Sequence, residues 1–294
     1  MKKLFFLLSL SFFLFSCDKL NETSPNTVDP QLTAVASEED GQTEGSYSSL
    51  FDDVMGTSDE VGNFGSGIFG KEQGLDTLPR CFTMTVEHPR APLPFPVVVT
   101  ITFPPTGCIG RDGRIRRGKI RTEYSNRLIV PSAQSSTTFI DFSIDSISVR
   151  GTFTVRNTTD TTTNVRVPKW LVNVIGGRLG FPNGNVTEWS SEKLIQHVEG
   201  FTTPLPIDDV FKITGSAHGT SIRGGQTTSW NSEIIEPLIK RFTCFWLVKG
   251  RIRTVRTNLS VNSPWIGVLD FGDGTCDNLA TLTINGQTQI IHLR

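Results

Sequence analysis

The chain has 294 residues, 37% of them hydrophobic and 19% charged, with a formal net charge of −1. Its 27 glycines and 16 prolines are spread along the sequence, and the composition is not that of a collagen, a coiled coil or a multi-pass membrane protein. A chain of this length fills one large core or two small ones.

Lys2 and Lys3 precede an apolar stretch from Leu4 to Phe15. A membrane-spanning helix needs about 20 apolar residues, so the stretch is too short to span and fits a cleavable signal peptide at 1–16. The run ends Leu14-Phe15-Ser16-Cys17. It resembles the lipobox of bacterial lipoproteins, with an aliphatic residue at −3, a small residue at −1 and then cysteine; Phe15 is bulkier than usual. The resemblance implies that Cys17 carries lipid and becomes the mature N-terminus. Multiple acyl chains then anchor the protein to a membrane without spanning it. The expected location is the bacterial cell envelope, at the surface or periplasmic face of the outer membrane.

Residues 18–80 hold thirteen Asp/Glu and three Lys/Arg in a background of Asn, Ser, Thr and Gly. Sparse, aperiodic apolar residues bury too little surface to offset ordering entropy, so 17–80 reads as a lipidated cysteine followed by an acidic, disordered tether. A short apolar patch, Leu50, Phe51, Val54 and Met55, is suited either to docking on the body or to forming a helical turn. The body, 81–294, holds sixteen Asp/Glu against 23 Lys/Arg. A basic body beside an acidic tether is explained by solubility or, more sharply, by an anionic ligand for the body.

The body reads as all-β. Predicted strands cover Phe82–Val86, Val97–Phe103, Lys119–Tyr124, Phe139–Ile144, Ile147–Val155, Trp170–Ile175, Val210–Thr214, Phe245–Val255, Ile266–Phe271, Ala280–Ile284 and Gln289–Leu293. Turn signals at Asp112-Gly113, Asn183-Gly184, Gly224-Gly225, Asp273-Gly274 and Asn285-Gly286 punctuate them. The pattern predicts an antiparallel β-sandwich or an open, barrel-like meander.

With Cys17 lipidated, four cysteines remain, and an even number in an exported chain points to disulfides. Pairing the strands about the turns near Pro94 and Asn258–Asn262 sets Cys81 against Cys108 and Cys244 against Cys276, each stapling a hairpin. The two stapled units echo each other. Between them, Gly184-Asn-Val-Thr-Glu-Trp-Ser-Ser-Glu192 and Gly225-Gln-Thr-Thr-Ser-Trp-Asn-Ser-Glu233 share G-x-x-T-x-W-x-S-E, which suggests a pseudo-repeated architecture. Gly110-Arg-Asp-Gly-Arg114, Asp208-Asp-Val-Phe-Lys-Ile-Thr-Gly215 and Phe271-Gly-Asp-Gly-Thr-Cys-Asp-Asn278 resemble motifs of a group of uncharacterised bacterial exported lipoproteins. That resemblance implies fold and location alone. Asp270-Phe-Gly-Asp-Gly-Thr275 is also similar to a turn of polycystic-kidney-type adhesion domains, and no function is carried across it.

Candidate chemistry is sparse. His88, His197, His218 and His292 show no ligand spacing, and disulfide-bound cysteines do not bind zinc. Asp270, Asp273 and Asp277 depart from calcium-loop spacing and suit an Asx-type turn equally well. No cofactor is expected. A hydrolase would draw on Glu192 and Glu233 beside their tryptophans, although the odd spacing puts Trp189 and Glu192 on opposite faces of a strand. The five tryptophans, Trp170, Trp189, Trp230, Trp246 and Trp265, read as core. The basic residues Arg114, Arg116, Arg117, Lys119 and Arg121, with Lys249, Arg251 and Arg253, read either as solubilising strand charges or as a stripe for an anionic glycan. Export leaves no place for nucleic acid. The favoured reading is a non-enzymatic envelope module for binding or structure, with an anionic-polysaccharide binder and a carbohydrate-active hydrolase as alternatives.

Overall fold

Alternating Val, Ile, Thr and Phe, broken by Gly and Asn turns, turn nearly all of the chain beyond Cys81 into strand. The structure, a computed structural model, describes residues 25–61, 81–110, 113–203, 206–260 and 262–293. The signal peptide expected at 1–16 and the lipidation site expected at Cys17 lie outside the described residues. The strands are β1 (Thr83–Glu87), β2 (Val97–Ile109), β3 (Ile115–Tyr124), β4 (Gln134–Ile144), β5 (Ile147–Asn157), β6 (Lys169–Gly180), β7 (Val186–Glu199), β8 (Val210–Arg223), β9 (Gln226–Arg241), β10 (Leu247–Arg256), β11 (Gly267–Asp273), β12 (Leu279–Ile284) and β13 (Gln287–His292).

Every strand pairs antiparallel with its sequence neighbours, so the order in the sheet is the order in the chain. β1 and β13 do not pair with each other, which makes the fold an open, barrel-like meander rather than a sandwich. The two G-x-x-T-x-W-x-S-E segments, absent from the predicted strands, are β7 and β9, on either side of β8.

The meander has two rims. Turns after even-numbered strands lie on one, and three of these are two-residue turns with both φ values positive: Asp145-Ser146, Gly224-Gly225 and Asn285-Gly286. The opposite rim carries longer connections, including 88–96, 125–133 and 158–168. Disulfides close both hairpins, Cys81–Cys108 and Cys244–Cys276, with Cα atoms 5.5 Å and 5.7 Å apart. β1 and β2 pair Thr83 with Thr102, a register that alone sets Cys81 against Pro104. A bulge between Phe103 and Cys108 brings Cys108 back to Cys81.

The expected disordered tether is corrected over most of its length. Residues 25–61 form one α-helix, α1 (Pro25–Val61), and the sheet curls around it. It meets β3 through Arg116 and through Tyr124, whose hydroxyl donates to the Val54 carbonyl, β5 through Arg150, β7 through Trp189, β9 through Lys240 and β10 through Arg256. The folded unit therefore begins at α1, not at Cys81. Leu50, Phe51, Val54 and Met55 are buried, packing with Tyr124, Phe153 and Trp170 in one continuous core. Sheet and helix approach closely at Gly41, where a Cβ would lie 2.5 Å from Leu269 Cδ2. No helix of the described residues is long and apolar enough to cross a membrane.

Candidate functional site

The interior of the meander is the most elaborated polar region of the molecule. α1 carries nine Asp/Glu and no Lys/Arg. The strands answer with Arg116, Lys193, Arg223, Lys240 and Arg256 on their inner faces. Arg116 Nε lies 3.0 Å from Asp53 Oδ2, and Lys193 Nζ lies 2.9 Å from Glu44 Oε2. Arg223 pairs with Glu39, Lys240 with Asp52 and Arg256 with Asp29. Four of these cations are at most 7% exposed; Arg223, at the rim, is about a third exposed. Burying such charges is costly unless each has a partner, and here each has one on the helix.

The repeated motif builds the socket at the centre of this interior. Strand alternation turns Thr187, Trp189, Thr228 and Trp230 inward and Glu192 and Glu233 outward. Trp189 and Trp230 both donate their indole N–H to Asp40 Oδ1, at 2.9 Å and 3.0 Å. Thr187 donates its hydroxyl to Glu39. Gly219 of β8 stands in register between the two tryptophans, and a Cβ there would lie 2.4 Å from Cζ2 of Trp230. Tyr47 stacks on Trp189 with ring centroids 5.3 Å apart, and its hydroxyl donates to the Arg150 carbonyl at 3.1 Å. Burial pushes the Tyr47 phenol far above its ordinary range. Near the opposite rim, His197 Nε2 lies 3.0 Å from Asp209 Oδ1, both residues buried, with the imidazole stacked on Phe211.

The basic residues singled out in the sequence do not form one stripe. Arg116 points inward on β3, and Arg114, in the turn just before that strand, meets Asp145 at 3.0 Å. Lys119 and Arg121 point outward, flanked by Thr102 and Ile140, and by Thr100 and Thr138. Lys249, Arg251 and Arg253 also face outward, but on β10, with six strands between them and β3. There Arg251 pairs with Asp270 at 2.7 Å and Glu236 at 3.1 Å, and Arg253 with Glu233 at 2.9 Å. The hydrogen bond to Asp270, then the charges of Asp270 and Glu236, hold the Arg251 guanidinium above its already high range. Among the described residues neither Lys119 nor Arg121 has an ion-pair partner.

Glu192 and Glu233 are exposed on the convex outer face, both in register with Ser216 of the intervening β8. Asp273 Oδ1 accepts from the amide and hydroxyl of Thr275, which hold its carboxyl below the usual range. Asp277 accepts from the Leu279 amide, and Asp270 from the Gly272 amide. These are Asx turns, and no metal-binding group of three such side chains occurs among the described residues. A cavity of about 30 Å³, room for one water-sized group, lies between α1 and the strands, lined among others by Gly41, Gly45, Ser48, Arg114, Lys240 and Trp246. Comparison with protein-family models, curated proteins and solved structures finds no match to the chain.

Proposed function

We propose that the protein is an exported, lipid-anchored module of a bacterial cell envelope, held to its membrane through Cys17, with a binding or structural rather than an enzymatic role. The observation that carries this reading is the filled interior: the polar groups that would serve a ligand are committed to α1. The two disulfides support export, since such bonds persist in oxidising compartments. The outer face is water-facing, with Lys119, Arg121, Glu192, Glu233 and Arg253 among its outward residues, unlike the apolar band of a membrane-spanning barrel. The test is the mass of the mature N-terminus from membranes, with protease shaving of intact and lysed cells. A diacylated Cys17 and a membrane-bound body are expected. A chain cleaved elsewhere and recovered as soluble would refute the anchored reading, and Cys17→Ser gives the reference behaviour.

A second reading, binding of an anionic polysaccharide, is favoured by one observation: Lys119 and Arg121 project from a Thr-flanked outer surface and make no ion pair among the described residues. Weak polyanion binding, lost by about 0.15 M salt, is expected. Lys119→Ala with Arg121→Ala removes it, and Arg251→Ala leaves it intact. Equal losses in both variants would sink this reading.

A further inference from the structure

The order of anchor, helix and meander fixes which way the molecule stands. α1 runs through the interior with a definite polarity. Asp29 meets Arg256 at the end of β10, and Thr33 donates its hydroxyl to the Trp265 carbonyl in the β10–β11 loop at 2.9 Å. Further along, Asp40 meets Trp189 and Trp230, and Asp52 meets Lys240 near the far end of β9. The N-terminal end of α1 therefore leaves through the rim formed by the turns after β6, β8 and β10.

Only eight residue steps separate Cys17 from Pro25. Fully extended, they reach at most about 28 Å, and the turn of helix out to Pro25 adds about 6 Å beyond Asp29. A 64-residue coil from Cys17 to Arg80 would instead have let the body wander over roughly 45 Å, at any orientation. Resting on the proposed lipidation of Cys17, we infer that the meander stands on its membrane by this rim, with lipid headgroups as the rim's partner and the opposite rim facing away.

The two rims differ in the way this requires. In the turns after β6, β8 and β10 no charged side chain occurs among the described residues, and Arg223 at the end of β8 is paired with Glu39. The turns are built from Asn, Ser, Gly, Thr and Pro, with Phe181, Leu259, Trp265 and Ile266 half-buried among them, Trp265 on the loop that clamps α1. Paired charges and uncharged polar turns approach a headgroup layer without like-charge repulsion, and tryptophan suits that depth. The opposite rim carries the long loops and the exposed Arg90, Asp160 and Arg166. Loops of that length are where contacts with other molecules concentrate.

The experiment uses the lipidated full chain in phosphatidylethanolamine–phosphatidylglycerol vesicles that carry a headgroup energy-transfer acceptor. A fluorophore is attached through Gln226→Cys on the membrane-side rim, or through Val165→Cys on the opposite rim. Transfer is expected to be at least twofold higher from position 226. Inserting about 24 Gly/Ser residues between Asn21 and Glu22 should lower the position-226 signal toward that of 165. Equal transfer from both positions, or stronger transfer from 165, overturns the orientation while leaving the lipid anchor standing. Failure of the chain to enter the vesicle fraction, with no acyl mass at Cys17, overturns the anchor itself and the orientation with it.

Discussion

Asp40 is the sharpest test of α1 as the filling of the meander. It is 1% exposed, and one carboxylate oxygen accepts both indole N–H groups. A hydrogen bond to a charged acceptor contributes about 1.5–3 kcal/mol, and a buried donor left unpaired costs about 1–3 kcal/mol. Asp40→Ala removes two such bonds and strands two indoles, while it relieves the burial of a carboxylate. The expected loss is about 3–5 kcal/mol of a total that is rarely above about 15 kcal/mol. Asp40→Asn keeps an oxygen in place and retains both bonds at neutral strength, so its loss should be roughly 1–3 kcal/mol. Gln31→Ala, on the exposed flank of α1, should stay within about 0.5 kcal/mol. Urea unfolding, followed by tryptophan emission and far-ultraviolet dichroism, reads all three. An Asp40→Ala variant as stable as the Gln31→Ala control would refute the placement of α1. An Asp40→Asn variant as damaged as Asp40→Ala would show that the charge matters and the shared hydrogen bonds do not.

Lys193→Met should cost about 3–5 kcal/mol by leaving Glu44 charged and buried, and adding Glu44→Leu should recover most of it, as a double-mutant cycle will show. Replacing Cys244 and Cys276 together by serine opens a 32-residue loop and should cost about 3–4 kcal/mol in chemical denaturation, with no change in the native far-ultraviolet spectrum. The Tyr47 phenol, raised by burial, contributes stability that is present below its unfolded value near pH 10 and is lost as pH rises above it. Stability should therefore fall between about pH 10 and 12 in the parent and less so in Tyr47→Phe. A Tyr47 phenolate signal titrating near pH 10 in the folded chain contradicts the burial.

The strands were legible because their alternation is intact, as in Val97–Phe103 or Ile147–Val155, and the Cys244–Cys276 pairing followed from its turn position, whereas Cys81–Cys108 also needs the bulge in β2. The helix was not legible, and the reason is physical. Thr33, Ala36, Ser37, Asp40, Glu44, Tyr47, Leu50, Phe51, Val54 and Met55 are buried with helical spacing, and Glu39, Thr43 and Ser46 beside them are buried too. In the first half all but Ala36 are hydroxyls and carboxylates, so the buried face is not a hydrophobic one, and periodic hydrophobicity is the signal that sequence reading relies on. Gly41, Gly45 and the Ser/Thr content further lower intrinsic helicity, so α1 depends on the surrounding sheet. The second half, where Leu50 to Met55 dock, was the part visible in advance. β7 and β9 escaped for a related reason, because their inward positions include Thr187, Ser191, Lys193, Thr228 and Ser232. The motif that links them was visible as a repeat, but its role as a shared indole socket needed the register of β8 between them.

The same geometry changes what the charge asymmetry means. Taken along the sequence, an acidic tether beside a body with 23 bases and sixteen carboxylates invites an external anion. In the folded chain five of those bases face α1, leaving eighteen against sixteen, so the remainder of the body is close to neutral. The anion that the basic interior calls for is the chain's own helix. Any external polyanion must then be held by a local group of charges, not by the net field of the body, and among the described residues it is β3, not β10, whose outward cations have no carboxylate directly across from them on the neighbouring strands. On β10 the neighbouring Glu233, Glu236 and Asp270 already complete the charge pattern of the sheet surface, as cross-strand pairs do wherever a β-face meets water.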